Sequence, residues 1–453
     1  MGAGTDTIAA VATPPGRGGI GIVRLSGPDA LRIGEALAGR RLRPRHAHHC
    51  VFRDDTGEPL DDGLVLAFPG PASFTGEDVV ELQGHGGTVV LQRVLRATLA
   101  RGARLARPGE FSERAFLNDR IDLVQAEAIA DLVAAGSEAA ARGALRSLQG
   151  VFSERVRALV DAVTELRVYV EAALDFPDED LDFLADEHLS LRIDALRADL
   201  EKLLGEVRRG ARLAEGMTLV LAGAPNAGKS SLMNALSRRE TAIVTEVPGT
   251  TRDVLREGVE LDGLPVHLID TAGLRETEDR VEAEGVRRAR QEIEGADVLL
   301  YLLDVSVGPI RLPDSAELEQ LLGLRPPAHV VLVPNKIDLP HEPWSVGPGP
   351  FPVVPISARS GTGVEALVAH LKELVGFDEG REGSYTARTR HVLALEEAAR
   401  ALLGARETLE ATRSGDLVAE ELRRVQDALG EITGAVSADE LLGRIFSSFC
   451  IGK

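Results

Sequence analysis

Cysteine occurs only twice among the 453 residues, at Cys50 and Cys450, which rules out a disulfide framework and leads us to expect a reducing, cytoplasmic compartment. Aromatic residues make up 4% of the chain, with one tryptophan and three tyrosines, so there is little from which to build a stacking platform for single-stranded nucleic acid. Basic residues are outnumbered by acidic ones, 51 to 71, and the net charge of −20 excludes a continuous electropositive surface over most of the molecule. Any RNA partner therefore needs a local patch or a second protein. No apolar run approaches the roughly 18 residues of a membrane span, and Met1 to Ala12 lacks the basic-then-apolar order of a signal peptide. What the chain has is 44% hydrophobic residues over a length that suggests about three domains with sizeable cores.

The most informative stretch is G-A-P-N-A-G-K-S, Gly223 to Ser230. It follows the apolar run Met217 to Ala222 and opens an amphipathic segment carrying Leu232, Ala235 and Leu236, so it reads as a strand-to-helix phosphate cradle. Gly223 and Gly228 permit close backbone approach, and Asn226, Ala227, Gly228 and Ser231 contribute to the cradle. Lys229 reaches the terminal phosphates, the Ser230 hydroxyl is placed for Mg²⁺, and the helix N-terminus adds partial positive charge.

Base identity is carried by Asn335-Lys336-Ile337-Asp338, directly after the apolar run Val330 to Val333. The Asp338 carboxylate can accept from the N1 and N2 donors of guanine, which adenine does not offer. GTP is therefore favoured over ATP. Ser357-Ala358, after Val353 to Ile356, fits a backbone loop closing over the guanine O6.

Between cradle and base reader lie Gly249-Thr250-Thr251-Arg252-Asp253 and Asp270-Thr271-Ala272-Gly273. These read as the two switches, with Thr251 as a second hydroxyl on Mg²⁺, Asp270 as an outer-shell carboxylate and Gly273 as the amide that senses the γ-phosphate. The residue after Gly273 is Leu274, which cannot orient water as a glutamine would, so another group must do so. Glu282, in the acidic stretch Glu276 to Glu284, is the candidate, against the plainer reading of a solvated helix charge. Lys229, Thr251 and Glu282 are thus the candidate catalytic set. Asn226 offers an uncharged oxygen beside the phosphates, where a monovalent cation could stand in for an arginine.

Around this core the patterning changes. Strand-like runs at Thr7 to Ala12, Gly19 to Leu25, Leu64 to Phe68 and Asp78 to Gln83, with a helix over Thr88 to Arg101, predict an α+β domain over residues 1–118. Leu148, Phe152, Val156, Leu159, Val163, Leu166 and Val170 recur at spacings of three and four, and a further helix is expected from Leu189 to Arg209. Helical periodicity resumes after the nucleotide-binding segment with Leu395, Ala399, Leu402, Ala405 and Leu409, then Val418, Leu422, Val425, Leu429 and Ile432. We therefore expect a helical domain in two parts, 119–215 and 378–453, with a Ras-like P-loop GTPase domain, 216–377, inserted between them. A last helix opens at the capping box Ser437 to Glu440 and leads to Cys450-Ile451-Gly452-Lys453; Cys450 reads as a small buried hydrophobe, the alternative being a reactive thiol with Lys453 as its electropositive neighbour.

The motifs G-A-P-N-A-G-K-S-S, G-T-T-R-D-V-L-R, D-T-A-G-L-R-E and N-K-I-D with a terminal C-I-G-K closely resemble the MnmE (TrmE) family of tRNA modification GTPases. The likeness extends to Thr13 to Pro28, Ser73 to Gly87, Arg107 to Asn118 and Ala173 to Glu179, and so to essentially the whole chain. It implies an N-terminal folate-binding and dimerising domain, with Arg24, Glu81, Arg120 and Lys453 at the positions that hold 5-formyl- or methylene-tetrahydrofolate. It implies a homodimer whose FAD-dependent partner, MnmG, joins it to install an aminomethyl or carboxymethylaminomethyl group at C5 of the tRNA wobble uridine, FAD residing on the partner. It also implies K⁺ bound by Asn226 with Thr245, Val247 and Thr250, hydrolysis on dimerisation of the GTPase domains, and Glu282 positioning water. Pro248 departs from the potassium loop by removing an amide donor but leaves its carbonyls. A ribosome-assembly GTPase acting as an RNA-binding switch is the competing reading; such proteins lack the folate-like N-terminal segment and the C-I-G-K tip.

Overall fold

The computed structural model describes residues 6–175, 187–237, 256–270, 296–307, 312–322, 326–327, 329–339, 349–374, 377, 385–412, 414–436, 439–447, 449–450 and 452. In chain order its elements begin β1 (Ile8–Val11), β2 (Gly18–Ser26), α1 (Ala30–Ala38), β3 (His48–Arg53), β4 (Pro59–Phe68), β5 (Val79–Gly86), α2 (Thr88–Ala100) and β6 (Arg104–Leu105). The helices α3 (Glu110–Leu117), α4 (Leu123–Ala134), α5 (Glu138–Leu148), α6 (Val151–Asp175) and α7 (Glu187–Glu215) follow. Then come β7 (Met217–Gly223), α8 (Lys229–Ser237), β8 (Arg256–Leu261), β9 (Leu264–Asp270), β10 (Val298–Asp304), α9 (Ser315–Leu322), β11 (His329–Asn335) and α10 (Val364–Leu374). The chain closes with α11 (Thr389–Thr412), α12 (Gly415–Thr433) and α13 (Asp439–Ser447).

Two compact units result. The first comprises Met1–Ala130, Ser153–Leu184 and Thr408–Lys453. Its six-stranded sheet runs β3-β4-β5-β2-β1-β6, antiparallel except for the β1–β6 pair. Residues alternate across a strand, so Val23, Leu25, Val80 and Leu82 all fall on the face that packs with Ile33 and Leu37 of α1 and Val94 of α2. Arg24 and Glu81, one residue out of phase, take the opposite face. In α6 the stripe from Phe152 through Val156, Leu159, Val163 and Leu166 to Val170 is buried, as the spacing of three and four requires. In α12, Val418, Leu422, Val425, Leu429 and Ile432 are buried in the same way.

A cluster of charges that the sequence does not announce lies at the start of α3. Arg114 is buried, and its guanidinium donates to Glu77 at 3.0 Å, to Asp6 at 2.8 Å and to Glu110 at 3.2 Å. Glu110 also accepts from Arg104 and from the Arg107 amide at 2.8 Å. Burial pushes the Glu110 carboxyl up, but the Arg104 guanidinium, the Arg107 amide and Arg114 outweigh it and hold the pKa at about 2, against 4.5 ordinarily. Since the folded-state value lies below the unfolded one, this contribution to stability is fully present above pH 4.5 and is lost as pH falls toward 2. We expect Glu110→Gln to be destabilised relative to the parent at pH 6, with the gap closing between pH 4.5 and 2. Urea unfolding at stepped pH measures it; a gap that stays constant through that window would contradict the assignment.

The second unit comprises Asp131–Phe152 and Ala185–Glu407. Its five-stranded sheet has the order β11-β10-β7-β9-β8, with β8 antiparallel at one edge and the other four parallel. Both faces are covered, so the strands read as near-continuous apolar runs. Leu219, Leu221, Leu300, Leu302, Val331 and Val333 pack with Leu232 and Leu236 of α8 and Leu367 and Leu371 of α10. Val220, Ala222, Leu299 and Leu332 pack on the other face with Leu318 of α9. Strand order reverses across β7, with β9 on one side and β10 on the other, and in open parallel sheets the crevice beyond the strand ends at such a point is where ligands bind. Among the described residues no helix is long and apolar enough to cross a membrane.

Candidate functional site: a phosphate cradle tied to a base-reading loop

The loop from Gly223 to Gly228 leaves the carboxyl end of β7 and enters α8 at Lys229. Three of its residues take positive φ: Gly223 at 142°, Asn226 at 64° and Gly228 at 100°. A Cβ on Gly223 would stand 2.4 Å from the Leu302 carbonyl oxygen, and one on Gly228 would stand 2.2 Å from Asn335 Nδ2. Only glycine fits at either position. The first amides of α8 have no intrahelical acceptor, so they and the helix dipole present donors and partial positive charge at the loop. Lys229 Nζ is held over the loop by the Gly223 and Ala224 carbonyls at 2.9 and 3.1 Å, and Asn226, Ser230 and Ser231 are exposed.

Asn335, at the end of β11, is buried and serves as a staple. Its Nδ2 donates to the Ala227 carbonyl at 2.8 Å, and its Oδ1 accepts from the amides of Lys336 at 2.8 Å and Ala358 at 3.0 Å. One side chain thus joins the cradle, the Asn335–Asp338 turn and the Ser357–Ala358 loop. Lys336 sits at φ 69° with Nζ 2.6 Å from Asp304 Oδ2; burial pushes the Asp304 carboxyl up, and the Lys336 ammonium with Ser306 turns the balance to a lowered pKa. Asp338 is exposed beyond this turn. The loop beneath is built from the backbone: Ser357 N donates to Thr362 O at 2.8 Å and Gly361 N to Ser357 O at 2.9 Å, with Ser357 buried.

Truncating the staple leaves three partners without their bonds. Asn335→Ala is expected to cost about 2–4 kcal/mol of stability, at roughly 1 kcal/mol per bond plus the desolvation of the groups left behind. Urea unfolding gives the value, and an effect below about 1 kcal/mol would show that the three segments hold together without it.

The structure brings together Asn226, Ala227, Gly228, Lys229, Ser230, Asn335, Lys336, Asp338, Ser357 and Ala358 at the ends of β7 and β11. Asp270 ends β9, paired with Leu221 of the strand that feeds the cradle. Thr245, Val247, Pro248, Thr250, Thr251, Thr271, Ala272, Gly273 and Glu282 lie outside the described residues. What the sequence reading missed is the stapling role of Asn335. A signal was there in the pair of Gly228 and Asn335, since the amide occupies the space that any side chain at 228 would fill.

In the first unit Arg24 and Glu81 are directly opposite on β2 and β5. Arg24 Nε and Nη2 both donate to Glu81 Oε1, at 3.0 and 2.9 Å, and Gln83 Nε2 donates to Oε2 at 3.3 Å. The guanidinium lies 5.8 Å from the ring centroids of both Phe74 and Phe111. The Arg120 side chain runs along Gly76, at whose Cα there is room for no more than a hydrogen without crowding Asn118 and Arg120. The C-terminal tip returns to the same unit: Gly109 N donates to the Cys450 carbonyl at 3.3 Å, and Gly452 sits so close to Val11 that a Cβ would meet its oxygen at 2.4 Å. Cys450, which reads from sequence as a buried small hydrophobe, is exposed, because Phe446 and Phe449 fill the space below the tip. Lys453 lies outside the described residues.

Comparison with known proteins agrees across the full length. The family profile described as the MnmE helical domain matches residues 123–450, and the one described as the GTP-binding protein TrmE N-terminus matches residues 7–120. The tRNA modification GTPase MnmE of Ectopseudomonas mendocina is 56% identical over 451 residues, covering 99% of each chain. That of Marinobacter nauticus is 54% identical over 452 residues, again 99% of each. Among solved structures, a point variant of Era from Aquifex aeolicus bound to GDP.AlF4- is 26% identical over 41% of this chain and 66% of that one, with a TM-score of 0.25. On the family profiles and the full-length identity, the chain belongs to the MnmE (TrmE) family of tRNA modification GTPases.

Proposed function

We propose that this GTPase of tRNA modification spends each GTP on a step in the C5 alkylation of the tRNA wobble uridine, with a reduced folate as one-carbon donor and an FAD-dependent MnmG protein as partner. The observation that carries the proposal is the Asn335 staple, which fixes the cradle and the base-reading loops as one rigid receptor with Asp338 exposed at its rim. The cradle fits a nucleotide: the two glycines leave the backbone open to phosphate, and Asp338 offers the acceptors for the guanine N1 and N2 donors. In this reading Lys229 and the first α8 amides neutralise charge developing on the phosphates, Ser230 and Thr251 would hold Mg²⁺ with Asp270 behind them, and Glu282 orients the attacking water. Ser357, Ala358 and Lys336 enclose the base; Thr271, Ala272 and Gly273 sense the terminal phosphate.

Asn226 fits a cation ligand, being an exposed residue of the loop that offers an uncharged side-chain oxygen, at φ 64°. Thr245, Val247 and Thr250 would complete the K⁺ shell. A cation bound there would add positive charge beside the phosphates to that of Lys229 and the α8 amides. We expect GTP turnover in K⁺ to exceed that in Na⁺ by about 10-fold or more, given the roughly 10³–10⁵ that an arginine finger supplies in related chemistry. Phosphate release in the two salts at equal ionic strength is the measurement, and equal rates would remove Asn226 from this role.

For the folate, Glu81 presents the carboxylate acceptor that the donor edge of a pterin ring needs, held by Arg24, whose guanidinium lies against the Phe74 and Phe111 rings. Arg120 and Lys453 suit the negative end of the same ligand. We propose domain limits of 1–118, 119–215, 216–377 and 378–453, cytoplasmic residence, and a homodimer; the profile matches to 7–120 and 123–450 support the first boundary. The negative net charge suits a division of labour in which the partner carries most of the RNA-binding surface. Equilibrium binding of 5-formyl-tetrahydrofolate tests the folate assignment, and no binding by the full-length protein would favour the ribosome-assembly reading.

A further inference from the structure

We infer that Glu215 is the joint through which movement of the nucleotide-sensing strands is passed to helix α11, an inference that rests on the coupled function above. α7 ends at Glu215 and β7 begins at Met217, so one residue, Gly216, connects helix to sheet. Its φ is 75°, and a Cβ there would lie 3.1 Å from both Cδ2 and Nε2 of His267, so the imidazole rests against the hinge itself. A carbonyl oxygen can only accept, so His267 Nε2 donates to the Glu215 backbone oxygen, at 3.1 Å.

The side chain of the same residue reaches the other way. Glu215 Oε1 accepts from the Thr389 amide at 2.9 Å and Oε2 from the Thr389 hydroxyl at 2.6 Å, at the first residue of α11. A carboxylate on the opening amide of a helix fixes where that helix begins and is favoured by the dipole. Glu215 therefore holds β9 by its backbone and α11 by its side chain.

The position of His267 makes this contact responsive to nucleotide. It stands on β9 three residues before Asp270, and its cross-strand partner is Gly258 of β8, which begins three residues after Asp253. Both sequence switches thus feed directly into the hairpin that carries the imidazole. Beside the hairpin is a cavity of about 120 Å³ lined by Asp131, Gly136, Leu213, Glu260 and Thr386 together with Gly258, at which a Cβ would meet nothing within 4 Å. The hairpin has room to shift toward α5 and α7. A displacement of about 1 Å is enough to carry an N–H···O contact of this length outside hydrogen-bonding range, so the joint has a made and a broken state.

The test compares full-length His267→Ala and Thr389→Ala proteins with the parent in two assays: phosphate release from GTP, and wobble-uridine C5 modification in tRNA from strains whose sole copy is the variant. Neither residue belongs to the nucleotide or folate machinery. We expect GTP turnover within about threefold of the parent, and modification per GTP hydrolysed reduced by at least about fivefold, at the lower end of ordinary coupling between sites. His267→Gln, whose amide can donate to the same carbonyl, should recover most of the loss, and the double variant should be no worse than either single one. Should His267→Ala fail to fold, Thr389→Ala decides, since it removes the hydroxyl bond to Glu215 Oε2 and leaves the backbone amide bond at the start of α11 in place. A Lys229→Ala strain separates the two levels. If it loses modification while His267→Ala and Thr389→Ala retain it, the joint is wrong and the coupled function stands; if Lys229→Ala itself retains modification, the coupling fails and the joint with it.

Discussion

Asp338→Asn is expected to weaken GTP binding by about 10²–10⁴-fold, because the substitution removes two charge-assisted bonds to the guanine N1 and N2 donors worth roughly 1.5–3 kcal/mol each. The loss should be specific to the base. An asparagine keeps one acceptor and adds a donor, which matches the 2-oxo edge of xanthine, so xanthosine triphosphate should bind the variant more tightly than GTP does. The exposed position of Asp338, beyond the Lys336–Asp304 pair and outside the Asn335 staple, means that the fold is untouched by the change. Competition of both nucleotides for a fluorescent analogue gives the two affinities, and a variant that still prefers GTP would place the base reader elsewhere.

Lys229→Ala is expected to lower GTP turnover by about 10²–10³-fold at saturating nucleotide, the usual consequence of removing one preorganised charge donor from a transition state. In the structure its ammonium bonds to the Gly223 and Ala224 carbonyls, contacts that water can replace, so stability should change by less than about 1 kcal/mol. The split between a large kinetic and a small stability effect is what distinguishes this lysine from a structural one. Single-turnover phosphate release together with urea unfolding measures both; a variant that hydrolyses within threefold of the parent would show that the cradle does not depend on it.

Much of the architecture can be read from the sequence because the physics there is local. The strand, loop and helix around Gly223–Ser230 follow from an apolar run, glycines at the two crowded positions and an amphipathic start. The buried stripe of α6 follows from periodicity alone. Helix α1 does not, since Gly34 in its middle is a poor helix former; it is there because a side chain at 34 would collide with Val80, and only glycine lets the helix lie on the sheet. Strand β3 is not among the strand-like runs because its first residues are histidines; His48 is nonetheless buried and accepts from the Arg43 amide at 2.8 Å.

The charged network around Arg114 and Glu110 is illegible for a different reason. Isolated Arg and Glu residues in a sequence are read as surface groups, and only the tertiary fold brings Asp6, Glu77, Arg104, Glu110 and Arg114 within bonding distance of one another. Cys450 goes wrong in the opposite sense. Its apolar neighbours suggest burial, but Phe446 and Phe449 take the available core, and the tip that follows is held by the backbone at Gly109 and Gly452. The bond from Asn335 to the cradle belongs to the same class, because it joins residues 108 positions apart.

The central claim is that hydrolysis of GTP in this cradle drives the alkylation of tRNA. Its most direct test is mass-spectrometric nucleoside analysis of tRNA from cells whose sole copy of the protein carries Lys229→Ala. The account predicts that C5-substituted wobble uridine falls to the level of a strain lacking the protein; substituted uridine at the parental level, alongside a purified variant that no longer hydrolyses GTP, would contradict it.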